Sequence, residues 1–119
     1  MGDDSGARLR EPPVSGLEPV GDATVVHLRG ELDLYNADEL RNAFSGAIDG
    51  GATRLVIDLD EVEFVDSTAL GVLLEARARL TPGALVLARP RVEIRRTLMV
   101  SGLDRHLPVH DSIDQALTS

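Results

Sequence analysis

The sequence contains one segment with clear chemical potential, Asp66-Ser67-Thr68, which follows an acidic stretch in the middle of the chain. A carboxylate directly before two hydroxyl residues is typical of a helix start, where Asp66 accepts hydrogen bonds from unpaired backbone amides. The Ser67 hydroxyl would then lie at the positive end of the helix dipole, which favours an attached anion. Because no general base lies near it in sequence, Ser67 is better suited to receive a phosphoryl group than to attack a substrate. We therefore predict a switch without catalytic residues, and not an enzyme.

Other interpretations of the polar residues stay open or are weaker. A serine or threonine at a helix start often only caps the helix, and the spacing alone does not decide against that role for Ser67. His106 and His110 have the i, i+4 spacing of a helical metal pair, but Pro108 between them interrupts the helix that this spacing needs. The carboxylates before Ser67 suit Mg²⁺, yet acidic segments are more often only solvated. We expect neither a metal site nor a cofactor.

The helix that begins at Ser67 is predicted to be apolar on two faces. The core-facing stripe consists of Ala69, Val72, Leu73, Ala76 and Leu80. The opposite face carries Ser67, Gly71 and Leu74, with Leu70 beside them. Within a helix, glycine is less favourable than alanine by about 1 kcal/mol. One use for Gly71 is to let another backbone approach closely, one turn from the Ser67 hydroxyl.

Strands and helices alternate at short intervals around this helix. The pattern predicts an α/β fold with a mixed, mainly parallel sheet of four to five strands and about four helices. The predicted strands cover residues 14–20, 24–29, 54–59, 84–88 and 107–109, and residues 60–65 are predicted as an acidic loop. The other predicted helices cover residues 37–48, 92–100 and 111–117, with Asn36 and Asp111 as caps of the first and the last. The length permits one domain, residues 14–119, after a disordered tail at residues 1–13.

The composition argues against several classes of function. The formal net charge is −8, which argues against nucleic acid and against an anionic membrane as a partner. The chain has no cysteine and no lysine, which excludes disulfides, thiolate metal sites and Schiff-base chemistry. Its first residues carry no apolar signal segment, and no apolar run approaches the about 20 residues that span a bilayer. We expect a cytoplasmic protein, with a monomer as the simplest state.

Several segments together resemble the STAS domain, and more narrowly the anti-sigma factor antagonists of bacteria. They are Gly30-Glu31-Leu32-Asp33, the helix start Asn-Ala-x-x-Leu at residues 36–40, and the stretch from Val56 through Asp66-Ser67-Thr68 to Leu74. The pair Gly102-Leu103 also matches the family's turn before its last strand, so that the resemblance covers residues 14–117. The family commonly has glycine at the position of Ala69, which adds one methyl group to the core-facing stripe.

The resemblance implies a mechanism for the switch. In such antagonists the serine after the motif aspartate, here Ser67, is phosphorylated by a partner anti-sigma factor that is an ATP-dependent serine kinase. The unphosphorylated form binds the anti-sigma factor and frees the sigma factor, and a PP2C-type phosphatase restores that form. The residues predicted to bind the partner are Asp33, Asp66, Thr68, Leu70, Gly71 and Leu74. The alternative is a constitutive STAS subunit of a transporter or of a stress-signalling assembly.

Overall fold

Five strands in residues 11–119, the part of the chain that the computed structural model describes, form one sheet in chain order. The strands are β1 (Val14–Val20), β2 (Ala23–Leu32), β3 (Arg54–Val65), β4 (Leu85–Ala88) and β5 (Val109–His110). β1 pairs antiparallel with β2, whereas β2–β3, β3–β4 and β4–β5 are parallel pairs. The predicted mixed, mainly parallel sheet of four to five strands is confirmed.

Three of the four α-helices in residues 11–119 connect successive parallel strands. The helices are α1 (Ala37–Asp49), α2 (Ser67–Ala78), α3 (Val92–Ser101) and α4 (Ile113–Thr118), and a 3₁₀ helix covers Leu103–Arg105. Crossover connections between parallel strands are right-handed, and each of the three crossovers leads to the next strand in the same direction across the sheet. The helices α1, α2 and α3 therefore lie on the same face of the sheet. Buried residues of all three, among them Phe44, Leu73 and Leu98, accordingly pack in one apolar cluster against it.

The opposite face of the sheet is covered by the short helix α4. Ala116 packs there against Val25, Val56 and Val86, with Ile113 and Leu117 partly buried beside them. The guanidinium group of Arg54, at the start of β3, donates hydrogen bonds to the carbonyl oxygens of Leu117 (2.8 Å), Ala116 (3.1 Å) and Ser119 (3.3 Å). A cation at the carbonyl end of a helix is favourable for its dipole. Arg54 therefore holds the C-terminal helix at the amino end of β3.

β2 and β3 extend further than predicted. α2 begins directly after the carboxyl end of the extended β3. The last paired residue of β4, Ala88, lies opposite Asp58, whereas β2 and β3 stay paired as far as Leu32 and Val65. Two register shifts interrupt this pairing, the second of them between Gly30 and Glu31. Gly30 has a φ of 73°, a left-handed conformation that glycine adopts without a steric penalty. The acidic loop predicted for residues 60–65 is therefore wrong, because β2 continues beside this segment and pairs with it.

The chain ends differ from the sequence-based boundaries. Ser112, not Asp111, caps α4 by accepting a 3.0 Å hydrogen bond from the amide of Gln115, while Asp111 forms an ion pair with Arg95 at 2.9 Å. The predicted tail falls on residues 1–10, which lie outside the described residues, and on residues 11–13, where the Pro13 carbonyl accepts a 2.9 Å hydrogen bond from the amide of Arg29. No helix in residues 11–119 has the length and apolar character needed to cross a bilayer.

Candidate functional site

The start of α2 presents a free hydroxyl to solvent. Ser67 is the first residue of the helix, and Asp66 precedes it in an extended conformation (φ −101°, ψ 179°). Oδ1 of Asp66 accepts a 2.9 Å hydrogen bond from the backbone amide of Ala69, so the predicted N-cap is confirmed. The Ser67 side chain is exposed, and no residue within 11–119 forms a hydrogen bond with its hydroxyl. The hydroxyl is thus open to a reagent that arrives from outside the molecule.

The second oxygen of the same carboxylate joins α2 to the turn after β2. Oδ2 of Asp66 accepts a 3.1 Å hydrogen bond from the amide of Leu34, and the amide of Asp66 donates a 3.0 Å bond to the carbonyl of Leu32. Asp33 lies between these two contacts. The structure therefore brings together two predicted site residues, Asp33 and Asp66, which are 33 positions apart in the sequence.

Asn36 holds the turn after β2 from inside. Its side chain is buried, with Oδ1 accepting a 2.9 Å hydrogen bond from the amide of Asp33 and Nδ2 donating a 2.8 Å bond to the carbonyl of Glu31. Asn36 occupies the predicted N-cap position of α1, but its side chain makes no capping hydrogen bond to the helix. The physical reason is that an amide side chain offers a donor and an acceptor at once, and both are used to close the turn.

The outer face of α2 is small and partly apolar near Ser67. A Cβ atom built on Gly71 would meet no heavy atom within 4 Å, and Leu74 is 37% exposed. Thr68 is half-buried, while Ala69 is buried in the core as its predicted stripe requires. Leu70 differs from its prediction, because it is only 9% exposed and packs in the main apolar cluster instead of on the outer face. Leu70 therefore contributes to the packing of α2 on the sheet and not to the exposed face.

Three large apolar side chains beside this helix start were not identified from the sequence. Leu34 is 64% exposed, Tyr35 is 83% exposed and Phe64 is 50% exposed. Strand alternation would place Phe64 on the same side as the buried Val62. The register shift inserts Glu63 between them without a partner on β2, since Gly30 pairs with Val62 and Glu31 with Phe64. This unpaired residue shifts the alternation of the strand, so that Phe64 faces outward. No local sequence pattern predicts such an insertion.

The charged groups around the helix start are acidic. Glu31 and Glu63 are exposed on the two strands that lead to the site, and Asp33 lies in the turn between them and α1. The first turn of α1 adds Glu39 and Asp38, of which Asp38 forms an ion pair with Arg41. The amide of Asp60 donates to the Asp58 carboxylate at 3.1 Å, and its carbonyl accepts from Arg91 at 2.7 Å. Asp60 therefore belongs to a separate polar cluster, farther back along β3.

This second cluster lies on the face of the sheet that carries α4. Asp58 is 5% exposed and receives two hydrogen bonds from the guanidinium group of Arg89, at 2.8 and 3.0 Å. Nδ1 of His27 lies 2.7 Å from Oδ2 of Asp58, and Nε2 lies 3.1 Å from Oε1 of Glu18. His27 thereby bridges two carboxylates across three strands. With the amide of Asp60, the buried carboxylate thus has three hydrogen-bonding partners.

Mutual contact shifts the ionisation of these groups in opposite directions. Burial lowers the pKa of His27, but the hydrogen bonds and negative charge of Asp58 and Glu18 outweigh it, so that the pKa is raised above its ordinary value. Burial raises the pKa of Asp58, but the hydrogen bonds from Arg89, His27 and the amide of Asp60 outweigh it and hold that pKa below its ordinary range. The cluster is a set of satisfied partners that stabilises the sheet.

The remaining polar candidates do not assemble into a centre. No three His, Cys, Asp or Glu side chains within residues 11–119 are arranged to hold a metal ion. His106 follows the 3₁₀ helix and is exposed, with its carbonyl accepting a 2.8 Å hydrogen bond from Arg77. His110 lies on the edge strand β5, where its Nε2 is buried without a partner among the described residues. Neither histidine lies in the turn or the helix start that surrounds Ser67.

Comparison with known proteins identifies the family. Residues 16–116 match the STAS domain. The anti-sigma-F factor antagonist RsfB of Mycobacterium tuberculosis is 33% identical over 96 residues, which cover 79% of this chain and 78% of that protein. The crystal structure of an anti-sigma factor antagonist from Mycobacterium paratuberculosis superposes with a TM-score of 0.79 at 30% identity, covering 87% of this chain and 89% of that one. The Bacillus cell fate determinant SpoIIAA in its phosphorylated form gives a TM-score of 0.65 at 26% identity, over 87% of this chain and 96% of that one. The chain is therefore a member of the STAS domain family, and within it is similar to the anti-sigma factor antagonists.

Proposed function

We propose that this chain is an anti-sigma factor antagonist controlled by phosphorylation of Ser67. In its unphosphorylated form it binds an anti-sigma factor that has serine kinase activity, and this binding releases a sigma factor. The observation that carries the proposal is the exposed Ser67 hydroxyl at the Asp66-capped start of α2, with which no residue in the range 11–119 forms a hydrogen bond. The similarity to proteins named anti-sigma factor antagonists supports the choice of partner.

The start of α2 is suited to carry a phosphate without unfolding. A phosphoserine adds a charge of roughly −1.5 to −2 at pH 7. At the first position of a helix this charge is favourably placed with respect to the dipole. Ser67 is exposed, so the added group needs no rearrangement of the core. The phosphorylated protein keeps its fold, and the effect of the modification falls on its surface.

The same surface is suited to lose a partner when the phosphate is added. Gly71 and Leu74 form a small apolar contact face one to two turns from Ser67, where a second backbone can approach closely. A bulky anion at Ser67 adds steric and desolvation costs to any interface that covers this face. Asp33 and Glu63 are already acidic, so the phosphate also increases repulsion towards acidic groups of a partner. A coupling of about 1–3 kcal/mol, or roughly 5- to 150-fold in affinity, is enough to exchange partners.

The cycle requires two other proteins and no catalytic residue of this chain. The anti-sigma factor kinase supplies ATP and the catalytic groups for phosphoryl transfer, and a PP2C-type phosphatase removes the phosphate. Both steps act on the exposed Ser67 in the cytoplasm. The chain contributes an acceptor hydroxyl and a contact face whose affinity depends on the state of that hydroxyl.

The test is phosphorylation by the cognate kinase followed by binding. The native chain, Ser67→Ala and Thr68→Ala are incubated with the kinase and ATP and analysed by intact-mass spectrometry. We expect one added phosphate on the native chain and on Thr68→Ala, and none on Ser67→Ala. Equal phosphorylation of all three, or equal capture of the kinase by Ser67→Asp and Ser67→Ala, would remove Ser67 from its role. Co-purification with a membrane ATPase in place of a soluble kinase would instead indicate a constitutive transporter subunit.

A further inference from the structure

The turn between β2 and α1 exposes two large apolar residues next to each other. Leu34 and Tyr35 are 64% and 83% exposed, and Phe64 on the neighbouring strand is 50% exposed. We call Leu34, Tyr35 and Phe64 the apolar edge. Single exposed apolar residues are common on protein surfaces, whereas several large ones together usually mark a site of interaction.

The apolar edge borders the start of α2. The amide of Leu34 donates directly to the carboxylate of Asp66, at 3.1 Å, and Asp66 precedes Ser67. Phe64 is two residues before Asp66 and is the pairing partner of Glu31, which lies on the strand that leads into the turn. A protein that covers the Ser67 hydroxyl is therefore in a position to contact the edge as well.

The turn is fixed by hydrogen bonds at each of its four backbone amides. Those of Asp33 and Tyr35 donate to Asn36 Oδ1 (2.9 Å) and Asp33 Oδ1 (3.0 Å), and that of Asn36 donates to the Asp33 carbonyl (3.2 Å). Together with the bond from the Leu34 amide to Asp66, these hydrogen bonds fix the backbone that carries Leu34 and Tyr35. A preorganised segment loses little conformational entropy when it is bound. The chain therefore uses the side chains of Asp33, Asn36 and Asp66 to hold two apolar residues in solvent.

The charges around the edge indicate the chemistry of the surface that covers it. Glu31, Asp33 and Glu63 are neighbours of the three apolar residues in the chain or in the sheet, and the first turn of α1 adds Glu39 and Asp38, of which Asp38 is paired with Arg41. Tyrosine is enriched among the residues that dominate binding energy, because it buries a large rigid ring at low entropic cost. A complementary surface would offer an apolar pocket with arginine or lysine at its rim.

We infer that the apolar edge is the anchor by which the anti-sigma factor kinase recognises this chain, with Tyr35 in an apolar pocket and the acidic rim against basic residues of the kinase. This inference rests on the proposed function for the identity of the partner. It adds a contact outside α2 that does not depend on the state of Ser67. The edge selects the partner, and the Ser67 hydroxyl determines whether the complex persists.

The test measures the dissociation constant for the kinase that binds the unphosphorylated chain, by titration calorimetry with purified proteins in the presence of ADP. The variants are Tyr35→Ala and the matched control Val100→Ala, because Val100 is also 83% exposed but lies at the far end of α3. We expect at least tenfold weaker binding for Tyr35→Ala and a change of less than twofold for Val100→Ala. Because the contact is apolar, the ratio should persist at about 0.5 M NaCl, where exposed charge interactions are screened. Circular dichroism of each variant verifies that the fold is retained.

The outcomes distinguish the recognition role of the apolar edge from the phosphorylation role of Ser67. The titrations are repeated in a Ser67→Ala background, in which the effect of Tyr35→Ala should be the same within twofold. Unchanged affinity of Tyr35→Ala, with normal phosphorylation of Ser67, overturns the anchor and leaves the proposed function intact. Weakened binding of Tyr35→Ala by a partner that does not phosphorylate Ser67 supports the anchor and contradicts the proposed switch.

Discussion

The backbone amide of Leu34 donates a 3.1 Å hydrogen bond to Oδ2 of Asp66, whose other oxygen caps α2 through the amide of Ala69 at 2.9 Å. One carboxylate thus satisfies a donor in each of two segments that are far apart in the sequence. The turn after β2 and the start of α2 are consequently fixed relative to each other. The exposed hydroxyl of Ser67 lies at this junction.

Replacing Asp66 should show that both hydrogen bonds contribute to stability. Loss of an N-cap costs about 1 kcal/mol, and loss of the bond to Leu34 adds a similar amount, so Asp66→Ala should lower the free energy of unfolding by about 2 kcal/mol. Asp66→Ser retains a cap for Ala69 without reaching Leu34 and should lie between alanine and the native chain. Urea unfolding measures the series, and Asp104→Ala, at an exposed position in the 3₁₀ helix, serves as a control. Equal stability of the alanine and serine variants would contradict the role of the Leu34 bond.

Substitution of Gly71 should change stability and binding in opposite directions. A Cβ atom at this position meets nothing within 4 Å, so Gly71→Ala should stabilise the helix by about 0.5–1 kcal/mol. In the complex the added methyl group would occupy the closest point of approach of the partner. We expect higher stability in urea unfolding together with at least fivefold weaker binding of the anti-sigma factor. A stabilised variant with native affinity would show that the partner does not pack on this face.

The stability of the fold should decrease as the pH rises above neutrality because of His27. The pKa of His27 is raised in the folded state by Asp58 and Glu18. Its contribution is therefore fully present below the unfolded pKa of about 6.5, and it is lost as the pH rises through the higher folded pKa. Asp58 has a lowered pKa and stays ionised over this range, so it does not mask the effect. Urea unfolding at pH 6 and pH 8.5 measures the loss, and His27→Gln should reduce it. An identical pH dependence in this variant would contradict the assignment.

Arg89 combines an ion pair to a buried carboxylate with an unusual backbone conformation. Its φ is 44°, in the left-handed region, and its guanidinium group makes both contacts to the nearly buried Asp58. Arg89→Ala should destabilise the fold by about 2–3 kcal/mol, because it leaves a charged group buried with His27 as its remaining side-chain partner. Arg89→Gly loses the same pair but relaxes the backbone, and should be about 1 kcal/mol more stable than Arg89→Ala. Thermal unfolding of the two variants measures the difference, and a less stable glycine variant would contradict it.

The helix start could be predicted from the sequence because its chemistry is local. Asp66 is an N-cap by residue type, and the spacing of Ala69, Val72 and Leu73 identifies the buried face of α2 from adjacent turns alone. The four- to five-stranded α/β fold follows from the alternation of such local patterns. Leu70 shows the limit of this reasoning, because a helix that is apolar on two sides leaves its exact orientation on the sheet open.

The features that sequence analysis missed depend on pairing between distant segments. Phe64 is exposed because a register shift between β2 and β3 changes which side chains face outward, and no local pattern reports a bulge. Asn36 suits a helix cap by type and occupies that position, yet its side-chain partners are Glu31 and Asp33 in the turn behind it. The contacts of Asp58 with His27 and Arg89 each join residues 31 positions apart and required the strand order to be known.

The anchoring of the C-terminus by Arg54 has a practical consequence for handling this protein. Ser119 is held at the amino end of β3, whereas Ser67 follows its carboxyl end. The 12 residues of β3 lie between the two positions and span about 40 Å at roughly 3.3 Å per residue. A fluorophore, an affinity tag or a surface linkage attached after Ser119 therefore points away from Ser67. Immobilisation after Ser119 should leave the start of α2 accessible for kinetic measurements of partner binding.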